Sequence, residues 1–596
     1  MKLRTDVLLN DSWDLTPLYT LQTDWEKDFS ALEKNIVKYS SLENTLHIDK
    51  EHFENVIRSY LEASRALEKI YTFAHLQSDT DLSHSENLGL VERTRNLYSR
   101  FSSAFSFITP EILALSKETL DAYLKEPSLQ DVKRMVLDIA RYAPHTLSKE
   151  EEKLLAQGSE VFGTSASVFS QLNNADLEFG VIGEGEHAET LSHGTYALFL
   201  KKQDRAIREK AYTQYLTVFD KHKNTIATTL AGSVKKDIYL AKVKKHPTAL
   251  AKALFPDEVP QSVYDNLIST VRKNLPVAHR YYALRKKVLG LDTQRMFDTY
   301  VPLVKEVHIK TTYDEAVGLL IDSLAPLGSE YLSVLKKGLT EDRWVDRYEN
   351  KGKRSGAYSG GCYDSAPYIL MNYHEENIHD VFTLTHEAGH SMHSYFSRKH
   401  QPYQDNDYTI FVAEVASTFN EQLLTHTLRE KYKNDKAMLA FLINQQIDDI
   451  KGTLIRQTMF AEFEKEIHER GERNEPLTID AFRKIYRGLL EAYFGPALTI
   501  EALDELECLR IPHFYSAFYV YKYATGISAA IALSDKVLSG DTKTTENYLT
   551  FLKSGGSKPP LELLKIAGVN LESPEPVEKA FVLFNRLVQE LEELLS

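Results

Sequence analysis

The stretch Ile378-His-Asp-Val-Phe-Thr-Leu-Thr-His-Glu-Ala-Gly-His-Ser-Met-His-Ser-Tyr-Phe396 contains no proline and repeats apolar side chains at Val381, Leu384, Ala388, Met392 and Tyr395 or Phe396. That spacing predicts one buried face of a helix, with Asn377 as its cap. Within it His386 and His390 stand four residues apart, ~40° around the axis and one turn along it, so both imidazoles can reach one cation. Glu387 lies between them in an H-E-x-x-H pattern, beside the metal, where it could take a proton from a bound water. With 20 histidines in the chain the pattern alone is only moderately specific, so its surroundings decide.

A catalytic zinc takes three protein ligands and keeps one position open, so a third ligand is needed. Glu414 is the best candidate. It lies in Tyr408-Thr-Ile-Phe-Val-Ala-Glu-Val-Ala-Ser-Thr-Phe-Asn-Glu-Gln-Leu-Leu424, which reads as a second helix. A carboxylate among Ile410, Phe411, Val412, Ala413, Val415 and Ala416 is costly to bury unless a cation satisfies it. Glu421, two turns later, could hold a ligand histidine by its second ring nitrogen. His393, one turn after His390, is the fallback ligand alongside Glu421 should Glu414 point elsewhere.

His-Glu-Ala-Gly-His followed by Phe-Val-Ala-Glu-Val-Ala-Ser resembles the thimet oligopeptidase and neurolysin type of zinc metallopeptidase, and more closely its bacterial oligoendopeptidase F branch. The likeness continues at Trp13-Asp-Leu-Thr-Pro-Leu-Tyr19, Leu172-Asn-Asn-Ala-Asp176 with Phe179-Gly180, and Arg354-Ser-Gly-Ala-Tyr358. Further on it includes Ile511-Pro-His-Phe-Tyr515, Phe518-Tyr-Val-Tyr-Lys-Tyr-Ala-Thr-Gly526 and Gly555-Gly-Ser-Lys-Pro-Pro560. These pieces span almost the whole chain in the family's order.

The resemblance implies a predominantly all-α fold, an elongated neurolysin-like helical body with a deep channel and a small β element beside the zinc helix. It also implies one zinc ion (Zn2+) per chain, oligopeptide substrates cut at internal bonds, and a role in peptide turnover. A histidine and tyrosines downstream would stabilise the oxyanion, and matching the tyrosine-rich motif favours Tyr521 as donor, with His513 assisting and Tyr515 possible. The spacing after His513 is shorter than in the animal enzymes, and phenylalanine stands at one expected tyrosine. The implied mechanism has zinc on His386, His390 and Glu414 acidifying its water, Glu387 as general base and then proton donor to the leaving amine, and no covalent enzyme intermediate.

Composition sets limits around this reading. The chain has 596 residues, 26% charged, with a formal charge of -14, which opposes a general nucleic-acid or anionic-membrane binder. Two cysteines, Cys362 and Cys508, exclude a disulfide framework and favour a reducing compartment. Cys362, in a glycine-rich loop, is a candidate redox-sensitive thiol. The N-terminus lacks an uninterrupted apolar signal segment and no stretch approaches ~18 apolar residues, so a cytoplasmic protein is expected.

Glycine (26) and proline (19) are scarcer than the ~7% and ~5% of average usage, which favours long helices. Helical patterns run from Lys50 to Leu76, Leu88 to Phe107, Asp204 to Lys244, Val263 to Leu289, Lys436 to Arg470 and Ile479 to Phe494. A break from Asn173 to His193, with three glycines between Phe179 and Glu186, reads as a hairpin or loop closing an N-terminal helical region. Length alone allows about four domains; the division adopted is 1–195, N-terminal helical, and 196–596, catalytic. No fixed-period repeat argues for a solenoid.

A second non-helical island, Lys351 to Tyr373, holds the loop Ser359-Gly360-Gly361 and a short strand at Tyr368-Ile-Leu-Met-Asn-Tyr373. Such a strand could pair with an extended peptide whatever its side chains. Gly360, Gly361 and Tyr368, with Tyr515, are therefore the substrate-binding candidates. Two rival functions stand beside the endopeptidase: a metallocarboxypeptidase of related helical fold, which needs a cationic clamp for the free C-terminus, and a helical peptide-binding protein with a dead site.

Overall fold

The structure, a computed structural model, describes residues 2–185, 188–304, 307 and 309–596. Helix accounts for 71% of it and strand for 2%, in keeping with the low glycine and proline content. The helices follow the apolar periodicity closely: Lys50–Asp79, Ser85–Ala104, Arg205–Val243, Gln261–Val288 and Ile479–Phe494. The run expected from Lys436 is continuous to Glu472 but passes through a π turn at Lys451–Ile455, a local widening that apolar spacing does not encode. The break after Asn173 is a π turn at Leu172–Asp176 followed by a two-residue antiparallel hairpin, β1 (Val181–Ile182) and β2 (Glu189–Thr190). Glu186 and His187, inside that break, lie outside the described residues.

The chain folds as two compact units, each assembled from three stretches. The first comprises 1–146, 308–427 and 533–568; the second comprises 147–307, 428–532 and 569–596. The hairpin β1–β2 falls inside the second unit.

In the first unit Trp25, fully buried, donates its indole N–H to the Ile70 carbonyl at 2.9 Å, satisfying the one polar atom of a large apolar side chain. Around it Phe29, Phe53, Phe73 and Leu97 form a core that reaches to Tyr368 and Leu370. A three-stranded sheet is ordered β3-β5-β4, where β3 is Val345–Asp346, β4 Tyr358–Gly360 and β5 Tyr368–Leu370. β5 pairs parallel with β3 and antiparallel with β4. All three β5 residues are buried, which explains its unbroken apolar run. The Tyr368 hydroxyl donates to the Asp14 carbonyl at 2.6 Å and its ring meets Trp13 edge-on, so the N-terminal Trp-Asp-Leu-Thr-Pro motif is a lid on this strand.

In the second unit the long helices Arg205–Val243, Gln261–Val288, Arg456–Glu472 and Ile479–Phe494 pack with Glu575–Leu595 and with the short 3-10 segment Asp504–Leu509. That segment is held by charge. Glu507 is buried beside Arg456 at 2.6 Å and Arg510 at 3.2 Å, and accepts from the Tyr486 hydroxyl at 2.8 Å. Although burial opposes ionisation, these guanidinium groups hold its carboxyl down at about 2.

Candidate metal centre

The helix Ile378–His400 starts where Asn377 accepts the His379 N–H at 3.1 Å, the expected cap. The second helix, Ile410–Lys431, begins two residues later than Tyr408 and continues beyond Leu424. The two approach unusually closely because Gly389, between the histidines, has no side chain. A Cβ there would lie 2.6 Å from Ser417 Cα and 2.7 Å from the Ala416 carbonyl oxygen. Glycine inside a helix costs about 1 kcal/mol against alanine, so its presence between two candidate ligands was a readable sign of tight packing, and it was the signal missed from sequence.

That approach brings Glu414 to the histidines. The Nε2 atoms of His386 and His390 are 3.2 Å apart, and His386 Nε2 is 3.5 Å from Glu414 Oε2. All three donor atoms lie within 4.8 Å of one another. A tetrahedral zinc with bonds near 2.05 Å separates its donors by roughly 3.3 Å, so the residues present fit such an ion. The donor chemistry agrees: two imidazoles and a carboxylate, with Glu387 and Glu421 adding negative charge around them.

Each imidazole is held from its far side. Glu421 Oε1 hydrogen-bonds His386 Nδ1, leaving Nε2 toward the centre, as a carboxylate behind a metal histidine does. Burial alone would favour neutral His386, but the Glu421 hydrogen bond and the charges of Glu421, Glu387 and Glu414 outweigh it and raise the ring to about 9. For His390 burial and the neighbouring His386 charge act together and bring it down to about 3, against a hydrogen bond from the ring to the Ala413 carbonyl. Two imidazoles ringed by the carboxylates of Glu387, Glu414 and Glu421 are a donor set that suits a divalent cation.

Glu387 is 8% exposed. Burial pushes its carboxyl up, opposed by the His386 charge and by the Ser359 N–H that it accepts. Ser359 sits in β4 opposite Ile369, whose N–H is taken by Trp344 at 2.8 Å on the β3 side. The Ser359 amide consequently points away from β5. Its hydroxyl meets the Ser391 hydroxyl at 2.8 Å, and buried Ser391 in turn donates to the Pro367 carbonyl at 3.2 Å. Ser359 and Ser391 thus tie the sheet to the histidine helix, which no spacing rule announced.

Other expected residues fall differently. β5 has neighbours on both sides, so Tyr368 offers no free edge to a peptide; the edge strands of this sheet are β3 and β4, and β4 carries Gly360. A Cβ on Gly361 would meet the Ala366 carbonyl oxygen at 2.6 Å, so this glycine serves a tight turn. His393 is fully buried, with its ring stacked on Tyr408 at 3.6 Å, and stands outside the three-donor group. Cys362 is 1% exposed and burial raises its thiol, a correction to the redox-sensitive reading: it is a packed core group, not a thiolate.

In the second unit His513 lies on a 3-10 turn, Pro512–Tyr515, exposed to solvent. Tyr519 and Tyr523 flank its ring at 6.2 and 6.1 Å. Tyr521 opens the helix Tyr521–Leu538, buried, with its ring 5.1 Å from that of Tyr264. Tyr515 is packed: its ring stacks on Phe169 at 4.3 Å and its hydroxyl pairs with the Thr229 hydroxyl at 2.7 Å.

The profile of peptidase family M3 matches residues 198–583, and the one described as oligopeptidase F matches 111–179. Oligopeptidase PepF of Bacillus subtilis is 44% identical over 99% of this chain and 88% of its own length. A crystal structure from Chlamydophila abortus superposes with a TM-score of 0.94 at 37% identity, covering all of both chains. Oligoendopeptidase-F from Enterococcus faecium superposes at 0.74 with 35% identity, over 96% of this chain and 99% of its own. No helix among the described residues is long and apolar enough to cross a membrane.

Proposed function

The chain belongs to peptidase family M3 and is a metallo-endopeptidase, and from that premise we propose that it hydrolyses internal bonds of short oligopeptides using one zinc ion held by His386, His390 and Glu414. The observation that carries the reading is the donor spacing, 3.2 Å between the histidines of one helix and 3.5 Å from His386 to Glu414 on the other, with Glu387 beside them. Bound there, zinc would acidify a water and polarise the scissile carbonyl.

The chain's own residues do the rest. Glu387 accepts the proton of the attacking water and returns it to the leaving amine, a task suited to a carboxyl that burial makes more basic. The Ser359 amide fixes that carboxylate, and Glu421 fixes the His386 ring. An extended peptide pairs with the outer edge of β4 through main-chain groups, with the Ser359 carbonyl as acceptor, so that sequence preference is loose. Following the family resemblance, His513 and Tyr521 donate to the oxygen of the tetrahedral intermediate. Oligopeptide turnover in the cytoplasm is the role this assigns.

The test is a peptide blocked at both ends, digested by the zinc-loaded protein and read by mass spectrometry. Cleavage at an internal bond is expected; a strict need for a free C-terminus would return the carboxypeptidase reading. In the same assay Glu387→Gln should keep its zinc, measured by metal analysis, and lose roughly 10³- to 10⁴-fold in turnover. Unchanged turnover in that variant would remove Glu387 from the mechanism.

A further inference from the structure

Between the turn carrying His513 and the helix opened by Tyr521, the chain reverses at Phe518, which has φ 61°. A bulky side chain in the left-handed region is strained. Six non-glycine residues among those described have positive φ, and the other five are polar; Phe518 is instead 2% exposed. Its ring is clamped between Tyr264, edge-on at 5.9 Å, and His468 at 4.5 Å. Its N–H donates to Glu464 Oε1 at 3.0 Å.

Glu464, on the helix Arg456–Glu472, is fully buried. Its second oxygen accepts no hydrogen bond from the described residues. The same helix turn places His468 over Phe518, with its Nε2 3.5 Å from Asp237 Oδ2. Burial pushes the Glu464 carboxyl well above the usual range, Asp237 adds to this, and the Phe518 N–H opposes it. A buried carboxyl without a cation is destabilising in itself, so packing does not account for a glutamate here. What it does is satisfy the amide of a strained residue.

We propose that Glu464 is a positioning residue: by accepting the Phe518 N–H it fixes the reversal that sets His513 and the tyrosines of Tyr519–Tyr523 relative to one another. This rests on the catalytic reading of His513 and Tyr521 given above. Losing the acceptor leaves a buried N–H unpaired and lets the strained turn relax, which shifts the segment without removing any group that touches substrate.

The test compares three substitutions in the zinc-loaded full chain. Glu464→Gln retains an oxygen for the Phe518 N–H and should match the parent in kcat and KM. Glu464→Leu removes the acceptor at similar bulk and should lower kcat by about 10²-fold, the scale of a misplaced reacting group, with KM and zinc content unchanged. Glu464→Asp withdraws the acceptor by one methylene and should lower kcat several-fold; it serves if the leucine variant fails to fold. In a Tyr521→Phe background the loss caused by Glu464→Leu or Glu464→Asp should largely disappear.

Equal losses in the glutamine and leucine variants would overturn the proposal, as would parental kcat in Glu464→Asp. So would an undiminished loss in the Tyr521→Phe background when Tyr521→Phe is itself impaired. Failure of the underlying reading looks different: Tyr521→Phe and His513→Ala would both keep parental kcat, and the route through which Glu464 acts would fall with it.

Discussion

The paired helices Ile378–His400 and Ile410–Lys431 and the segment Pro512–Tyr523 solve the same problem, holding polar groups still, by opposite means. The first uses regular backbone. Two histidines one turn apart, a glycine that lets a second helix within 2.6 Å of an absent Cβ, and a glutamate on that helix put three donor atoms within 4.8 Å. The second uses irregular backbone: a 3-10 turn, a left-handed phenylalanine and a buried carboxyl that accepts its amide. Regular backbone tolerates small errors in sequence because helix geometry restores the spacing, whereas an irregular turn depends on particular side chains placed far away in the chain.

The sharpest way to break this comparison is to remove the donor that the helix pair exists to present. Glu414→Ala should abolish turnover and bring zinc content measured after dialysis to a small fraction of the parent's. Full zinc occupancy in that variant would move the third ligand elsewhere and dissolve the geometric argument.

Next in size is the close approach itself. Gly389→Ala puts a methyl against the Ser417 backbone, which cannot rotate away. Overpacking of this kind costs about 1–3 kcal/mol, so thermal unfolding of the apo protein should move down by a few degrees. Because the helices must separate, zinc affinity should fall as well. Parental stability together with parental affinity would mean the helix contact is slack.

For the irregular region, Tyr521→Phe should lower kcat by about 10²- to 10³-fold, the scale for loss of one oxyanion donor, while zinc content stays at the parental level. A loss of zinc would instead make the two regions one structural unit. Little change in kcat would pass the role to Tyr519 or Tyr523, whose rings flank His513 and which are half-buried where Tyr521 is fully covered.

This contrast also explains what could be read beforehand. That His386 and His390 share one helix face, and Glu414 and Glu421 one face of the next helix, was legible because helical periodicity converts sequence distance into direction; that the two faces meet was not, since it depends on Gly389. The long helices were legible for the same reason, and the π turn at Lys451–Ile455 was not, since it shifts the apolar register by a single position, within the ordinary scatter of a helix pattern. The sheet misled. The run Tyr368–Leu370 was apolar enough to be a strand, but whether a strand is central or at an edge depends on partners remote in sequence; here Asp14, Trp344 and Tyr358–Gly360 bury it. Ser359 and Glu464 were invisible because each acts through a backbone amide, and a residue whose partner is an amide leaves no signature in side-chain chemistry.

The smallest effect concerns Glu421, and it tests whether the regular region is regular to its second layer. Its carboxylate bonds His386 Nδ1 and so fixes which nitrogen faces the centre. Glu421→Gln keeps the shape but offers a neutral oxygen, which weakens the hold on the ring and lowers its basicity as a ligand. Zinc affinity, read by competition with a chelator, should fall about 10- to 100-fold, while turnover at saturating zinc stays near the parent's because Glu387 and its Ser359 tether are untouched. If turnover fell and affinity held, Glu421 would be acting on the reacting groups rather than through His386, and the carboxylate behind the histidine would need a different explanation from the one the helix geometry supplies.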